Sequence, residues 1–199
     1  LKPAFRLAVI AFALIACARI HAQAKPTATE ATSLSVFAGA TGLYTGLSSG
    51  RNISFTAGID YRILTLYGLE PSIEVRGTYP IDDGSVDAQQ NFLAGIRISK
   101  PYRRFHPYGD VLYGRGEINY EGRGYITPDN RYIYQQSFSN VLAGGGGIDI
   151  DLAPSFALKA DAQLWHQNVP ITASGTLNST AITLGVVYHF DFNRHPREK

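Results

Sequence analysis

The sequence predicts an all-β fold: an eight-stranded antiparallel up-and-down β-barrel that crosses a membrane. Three observations predict it. After residue 32 the chain alternates apolar and polar residues in eight segments, the period-two mark of strands with two unlike faces. The segments run about ten to fifteen residues, enough to cross a bilayer as tilted strands, whereas ordinary strands average about five or six. Their connections alternate between short and long, as in barrels with turns on one side and loops on the other.

The N-terminus is of another kind. Lys2 and Arg6 precede an unbroken apolar run from Leu7 to Cys17, and Ala22-Gln23-Ala24 follows as a small-residue cleavage pattern. This is the layout of a secretory signal peptide over residues 1–24. The apolar run is only about half the length of a spanning helix. Leu14-Ile15-Ala16-Cys17 also resembles a lipobox, so lipidation at Cys17 is the competing reading. Residues 25–32 read as a short periplasmic segment, 33–192 as the barrel and 193–199 as a basic tail.

Loss of the leader changes the composition. Removing 24 of 199 residues leaves 175, and removing three of the 18 basic residues against 16 acids takes the charge from +2 to −1. Neither value suggests a nucleic-acid partner. The one Cys lies in the leader, which excludes a disulfide framework and a multi-Cys zinc site. Eight strands share 175 residues at about 22 each, whereas sixteen would leave about 11 and no loops.

The segments follow in order. The first spans about 33–44. The second, about 53–64, is a clear case: Phe55, Ile59 and Tyr61 alternate with Asp60 and Arg62. The third, 66–78, sets Leu69, Ile73 and Val75 against Glu70, Glu74 and Arg76. The fourth, 88–100, sets Phe92, Ile96 and Ile98 against Arg97. The fifth, 106–120, sets Leu112 and Ile118 against Arg115 and Glu117. The sixth, 137–150, sets Leu142 and Ile148 against Asp149. The seventh, 155–166, sets Leu158 and Leu164 against Lys159 and Asp161. The eighth, 180–192, sets Ile182, Leu184, Val186, Tyr188 and Phe190 against Thr183, Gly185 and His189. Short turns are expected near 64–65, 101–105 and 151–154, and long loops over 45–52, 80–87, 121–136 and 167–179. The long ones are rich in Gly, Ser, Asn, Asp and Pro, as exposed loops are.

In a bilayer the apolar faces must point outward, and closure must pair every backbone group. The expected lumen network is Asp60, Arg62, Glu70, Glu74, Arg76, Arg97, Arg115, Glu117, Asp149, Lys159 and Asp161. Its five bases and six acids can pair, and unpaired burial would be costly. Aromatics near segment ends, such as Tyr61, Tyr102, Phe105, Tyr120, Tyr188 and Phe190, suit headgroup-level girdles. Gly144–Gly147 lies inside a strand pattern with no helix after it. It therefore reads as a bend or crowded lumen rather than a phosphate cradle. The five His are scattered without metal-ligand spacing, and no metal or cofactor is implied.

These residues resemble the small outer-membrane β-barrel family, the OmpA-like and OmpX-like eight-stranded barrels of diderm bacteria. Thr183-x-Gly185-x-x-Tyr188-x-Phe190 is similar to the family's terminal recognition pattern, although the chain continues past it. The resemblance implies outer-membrane localisation, lipid contact and recognition of the last strand by the barrel assembly machinery.

Three functional classes stay open. One is a non-enzymatic envelope protein with a plugged charged lumen and four exposed loops. Loops 121–136 and 167–179 would then be the candidate contacts for an extracellular ligand, with Tyr125, Tyr132 and Tyr134 as anchors. The second is a narrow pore, although eight strands leave space only for side chains. The third is a lipid A-modifying enzyme using His166 near Asn168; these match the family's deacylase pattern poorly, because Gln167 separates them and no Ser stands beside them. No nucleophile–base–orienter set is evident, so no catalytic residue is expected.

Overall fold

The computed structural model describes residues 33–190, apart from positions 49, 83, 85, 121 and 123. The expected leader (1–24), Cys17, the 25–32 segment and the 193–199 tail lie outside the described residues. The described strands are β1 (Leu34–Tyr44), β2 (Arg51–Arg62), β3 (Glu70–Asp82), β4 (Asp87–Ser99) and β5 (Phe105–Tyr120). They continue as β6 (Tyr125–Ile126), β7 (Ile133–Tyr134), β8 (Gln136–Ala153), β9 (Phe156–Asn168) and β10 (Thr176–Phe190).

Eight of these strands close into a barrel in the order β1-β10-β9-β8-β5-β4-β3-β2. Every barrel pairing is antiparallel. β1 and β10 seal it in one register from Leu34↔Phe190 to Tyr44↔Thr180. Closure removes both sheet edges, as hydrocarbon requires of a spanning sheet. The eight alternating segments are the eight barrel strands, with ends displaced by a few residues. The third segment moves furthest, to β3, because Leu66 and Leu69 pair across a turn whose centre is Tyr67 (φ 53°) and Gly68 (φ 76°). Two successive positive φ values make the turn that joins right-twisted strands tightly.

The alternation divides most strands as the sequence predicts. Phe55, Ile59, Phe92, Ile96, Leu158, Leu164, Ile182 and Leu184 all face outward and are exposed. β5 is the exception. Leu112 and Ile118, expected outside, have no exposed surface and point inward. Arg115 and Glu117, expected in the lumen, lie on the outward face, Arg115 exposed and Glu117 partly so. The physical reason is register. Arg97 of β4 points inward and sits opposite Asp110 of β5, so every even-numbered residue of β5 also points inward.

The interior is consequently not uniformly charged. Leu43, Leu93, Leu112, Val141, Ala143, Trp165 and Ala181 form one buried apolar cluster. Phe37, Ala157 and Val187 form a smaller one toward the short turns. At the long-loop mouth, Leu47, Ile118, Tyr120, Val169, Ile171 and Leu177 make a third, joined by Val86, Tyr125 and Tyr134. Within 167–179 the strands take 167–168 and 176–179, and the loop between them (169–175) brings Val169 and Ile171 into this cap. Glycines fit where strands crowd: a Cβ on Gly145 would meet the Ala162 carbonyl oxygen at 2.2 Å, and one on Gly147 the Ala160 oxygen at 2.2 Å.

Candidate functional site: the barrel interior and its two mouths

The interior side chains are stacked in levels along the barrel. At the short-turn mouth, Arg62 pairs with Glu70 at 2.9 Å. There His106 Nε2 lies 2.9 Å from Asp151 Oδ2, and Ser35 Oγ lies 2.8 Å from His189 Nδ1. A cavity of about 320 Å³ opens at this mouth, lined by Asp60, Arg97, Asp149, Asp151 and their neighbours.

The next level centres on Arg97. Its Nη1 donates to Asp60 at 2.7 Å, and its Nη2 donates to Asp149. Its guanidinium carbon lies 3.6 Å from the centroid of the Tyr108 ring. Lys159 stands 3.6 Å from Asp149 Oδ1 and 4.3 Å from the Phe37 ring centroid. Aromatic faces at this range attract cations, most strongly where water is excluded.

Above it Arg76 is the hub. It donates to Asp161 at 2.6 Å, to Glu74, and to Asp110 at 3.4 Å, with only 2% of its surface exposed. Tyr108 donates to Asp161 at 2.9 Å, and Gln163 donates to Asp110 at 2.8 Å. β-Strands place these groups together because residues two apart on one strand share a face, and neighbouring strands repeat that face at the same height.

A ring of threonine hydroxyls follows: Thr41 with Thr56 at 2.6 Å, Thr41 with Thr183 at 2.8 Å, and Thr56 with Thr78 at 3.0 Å. The Leu93–Leu112–Trp165 cluster lies beyond. A second polar level succeeds it, in which Thr45 donates to Asp87 at 2.7 Å and Ser179 to Gln89 at 2.8 Å.

Of the eleven residues expected in the network, Asp60, Glu74, Arg76, Arg97, Asp149, Lys159 and Asp161 come together in the two central levels. Arg62 and Glu70 form a separate pair at the mouth. Arg115 and Glu117 are outside, where Gln90 donates to Glu117 at 2.5 Å. Sequence reasoning missed Asp110 and Tyr108, and the same error of face on β5 caused both omissions. Of the four assembly-signal residues, Thr183 belongs to the threonine ring and Gly185 faces Gly39 across the seam. Tyr188 packs edge-on against Phe156 and Phe190, at centroid distances of 5.1 and 4.8 Å.

The long-loop mouth carries the hairpin β6–β7. Ser48 Oγ lies 2.6 Å from the Tyr125 hydroxyl. Tyr125 and Tyr134 pack against the apolar cap, whereas Tyr132 is 64% exposed, beside Ile133 at 61%. At the hairpin tip the Thr127 hydroxyl donates to Asp129 Oδ1 at 2.5 Å and holds that carboxyl below its ordinary pKa. His166 lies on the outer wall, its Nδ1 2.7 Å from Asn178 Oδ1.

Among the described residues, no group of three or more His, Cys, Asp or Glu is arranged to hold a metal. None of the curated proteins matches the chain in sequence. Among solved structures, Neisserial surface protein A aligns at 16% identity, over 79% of this chain and 96% of that one, with a TM-score of 0.51. Ail, the attachment invasion locus protein of Yersinia pestis, aligns at 14% identity over 80% and 99%, with a TM-score of 0.48. The outer membrane protein OprG from Pseudomonas aeruginosa aligns at 12% identity over 81% and 97%, with a TM-score of 0.47. Likeness at such identity concerns the fold, and a fold does not carry a function with it. The family model of the outer membrane protein beta-barrel domain matches residues 8–190. With its closed eight-stranded sheet and outward apolar faces, the chain belongs to that family and is a protein of the bacterial outer membrane.

Proposed function

We propose that the chain is a non-enzymatic integral barrel whose lumen is plugged by its own side chains and whose loops meet the exterior. One observation carries this reading: Leu93, Leu112 and Ala143 have no exposed surface in mid-barrel, above two levels of paired charges. An ion on this route would have to leave water, cross an apolar level and separate buried pairs, each step costly. Eight-stranded barrels have an interior only wide enough for side chains to fill.

Several observations favour a structural and surface role over chemistry. His166 contacts an amide, which supplies neither a nucleophile nor a carboxylate orienter. The hairpin tip presents Tyr132, Ile126 and Ile133 outward, the amphipathic and apolar side chains that anchor protein contacts. Lipids would cover the outward apolar face. The assembly machinery would read the last strand through Gly185, Tyr188 and Phe190.

Single-barrel recording in planar bilayers tests the plug. The wild-type chain is expected to be silent, and the Leu93→Gly/Leu112→Gly variant to give conductance steps by removing the apolar level. Discrete steps from the wild-type chain would establish the narrow pore instead.

A further inference from the structure

Arg115 is an exposed cation on a wall otherwise built for hydrocarbon. The outward residues of β5 below it are Phe105, Pro107, Gly109, Val111 and Tyr113, none of them charged. Those above it are Glu117 and Asn119. Eight residue steps separate Phe105 from Tyr113, or roughly 20 Å of depth at the usual rise and tilt. Arg115 is therefore at the upper edge of the apolar band, where lipid headgroups begin. At that height a cation costs little, whereas at the midplane it would be strongly destabilising.

The surroundings form a groove. Phe55, Tyr79, Phe92 and Phe138 stand around it, with Gly77 and Ala57 among its lining, and its volume is about 500 Å³. That lies within the range of small-molecule sites. Register explains the shape. Arg115 sits opposite Phe92, Phe92 opposite Gly77, and Gly77 opposite Ala57, so the row falls from large side chains to almost none. Among the described residues, no carboxylate is paired with Arg115. The nearby Glu117 is held by Gln90.

We propose that this groove holds one phosphate-headed lipid of the outer leaflet, with its phosphate on the Arg115 guanidinium and an acyl chain lying along Phe92 and Gly77. The guanidinium fork matches phosphate oxygens in a bidentate fashion. At this depth of a bilayer, lipid phosphates are the anions within reach. The aromatic rings and the missing Cβ of Gly77 give a chain a shaped, apolar bed.

Native mass spectrometry of the full chain, purified from membranes in nonionic detergent, tests the site. The probes are bis-phosphorylated lipid A and the same lipid stripped of its phosphates. One phosphorylated lipid is expected to stay on each wild-type barrel. Retention should fall about tenfold with the stripped lipid and in Arg115→Gln, the effect of losing a charged hydrogen-bonding partner. Phe92→Ala should also reduce it. Arg51→Gln should not, since Arg51 lies outside the groove, 6.0 Å from the Tyr44 ring centroid. Heat-dependent gel migration confirms that each variant is folded. Equal retention by wild type and Arg115→Gln, or by both forms of the lipid, would overturn the proposal.

Discussion

Arg76 offers the sharpest test of the interior. Substituting methionine keeps most of the length and removes the charge. Arg76 serves three carboxylates: Asp161 at 2.6 Å, Glu74, and Asp110 at 3.4 Å. The two central levels hold three bases (Arg76, Arg97, Lys159) against five acids (Asp60, Glu74, Asp110, Asp149, Asp161). Loss of Arg76 leaves two bases for the same five acids. Breaking a buried pair by removing one partner costs about 3–5 kcal/mol. Charged hydrogen bonds contribute about 1.5–3 kcal/mol each, so losing two short ones gives a similar range. Removing a surplus acid should cost much less. Asp110→Asn keeps the volume, and Asp110 is the most distant of the three partners of Arg76, so the expected cost is about 1 kcal/mol. Urea unfolding in detergent micelles measures both. The chain has one tryptophan, and Trp165 is 3% exposed in the apolar level, so its fluorescence reports opening of the barrel. A loss below about 1 kcal/mol in Arg76→Met, or an equal loss in Asp110→Asn, would refute the view of Arg76 as the hub.

Two further outcomes follow from the seam and the hairpin. A side chain on Gly185 would meet the Ala38 carbonyl oxygen at 2.3 Å, so Gly185→Val should block closure of β1 on β10. The expected readout is loss of the heat-dependent folded band on a gel; an unchanged band would show that the seam can shift. Thr127→Val should raise the pKa of Asp129 by removing its hydroxyl donor, as read from the carboxyl chemical shift during an NMR titration. Because the folded value is depressed, this contact contributes fully above the ordinary carboxylate pKa and fades as pH falls through the lower value. An unmoved titration midpoint in Thr127→Val would exclude the hydroxyl as the cause.

The sequence by itself determined the eight barrel strands, the two lengths of connection and the division of each strand into two faces, but not the small β6–β7 hairpin within the 121–136 loop. The features it determined are local properties: alternation sets the period, and turns such as Tyr67-Gly68 need only their own backbone preferences. It did not determine which face of β5 looks inward. Alternation separates Leu112 and Ile118 from Arg115 and Glu117, but it carries no sign. Hydrophobicity suggested the wrong sign, because apolar side chains suit both a bilayer and a packed lumen. Only the closed sheet decided it, through the register that sets Arg97 opposite Asp110 and turns Leu112 toward Leu93 and Trp165. The same decision brought Asp110 and Tyr108 into the charged levels and put Arg115 on the outer wall. The apolar cap was likewise beyond local reading, since Leu47, Ile118, Val169 and Leu177 come from distant parts of the chain and meet only when the barrel has closed.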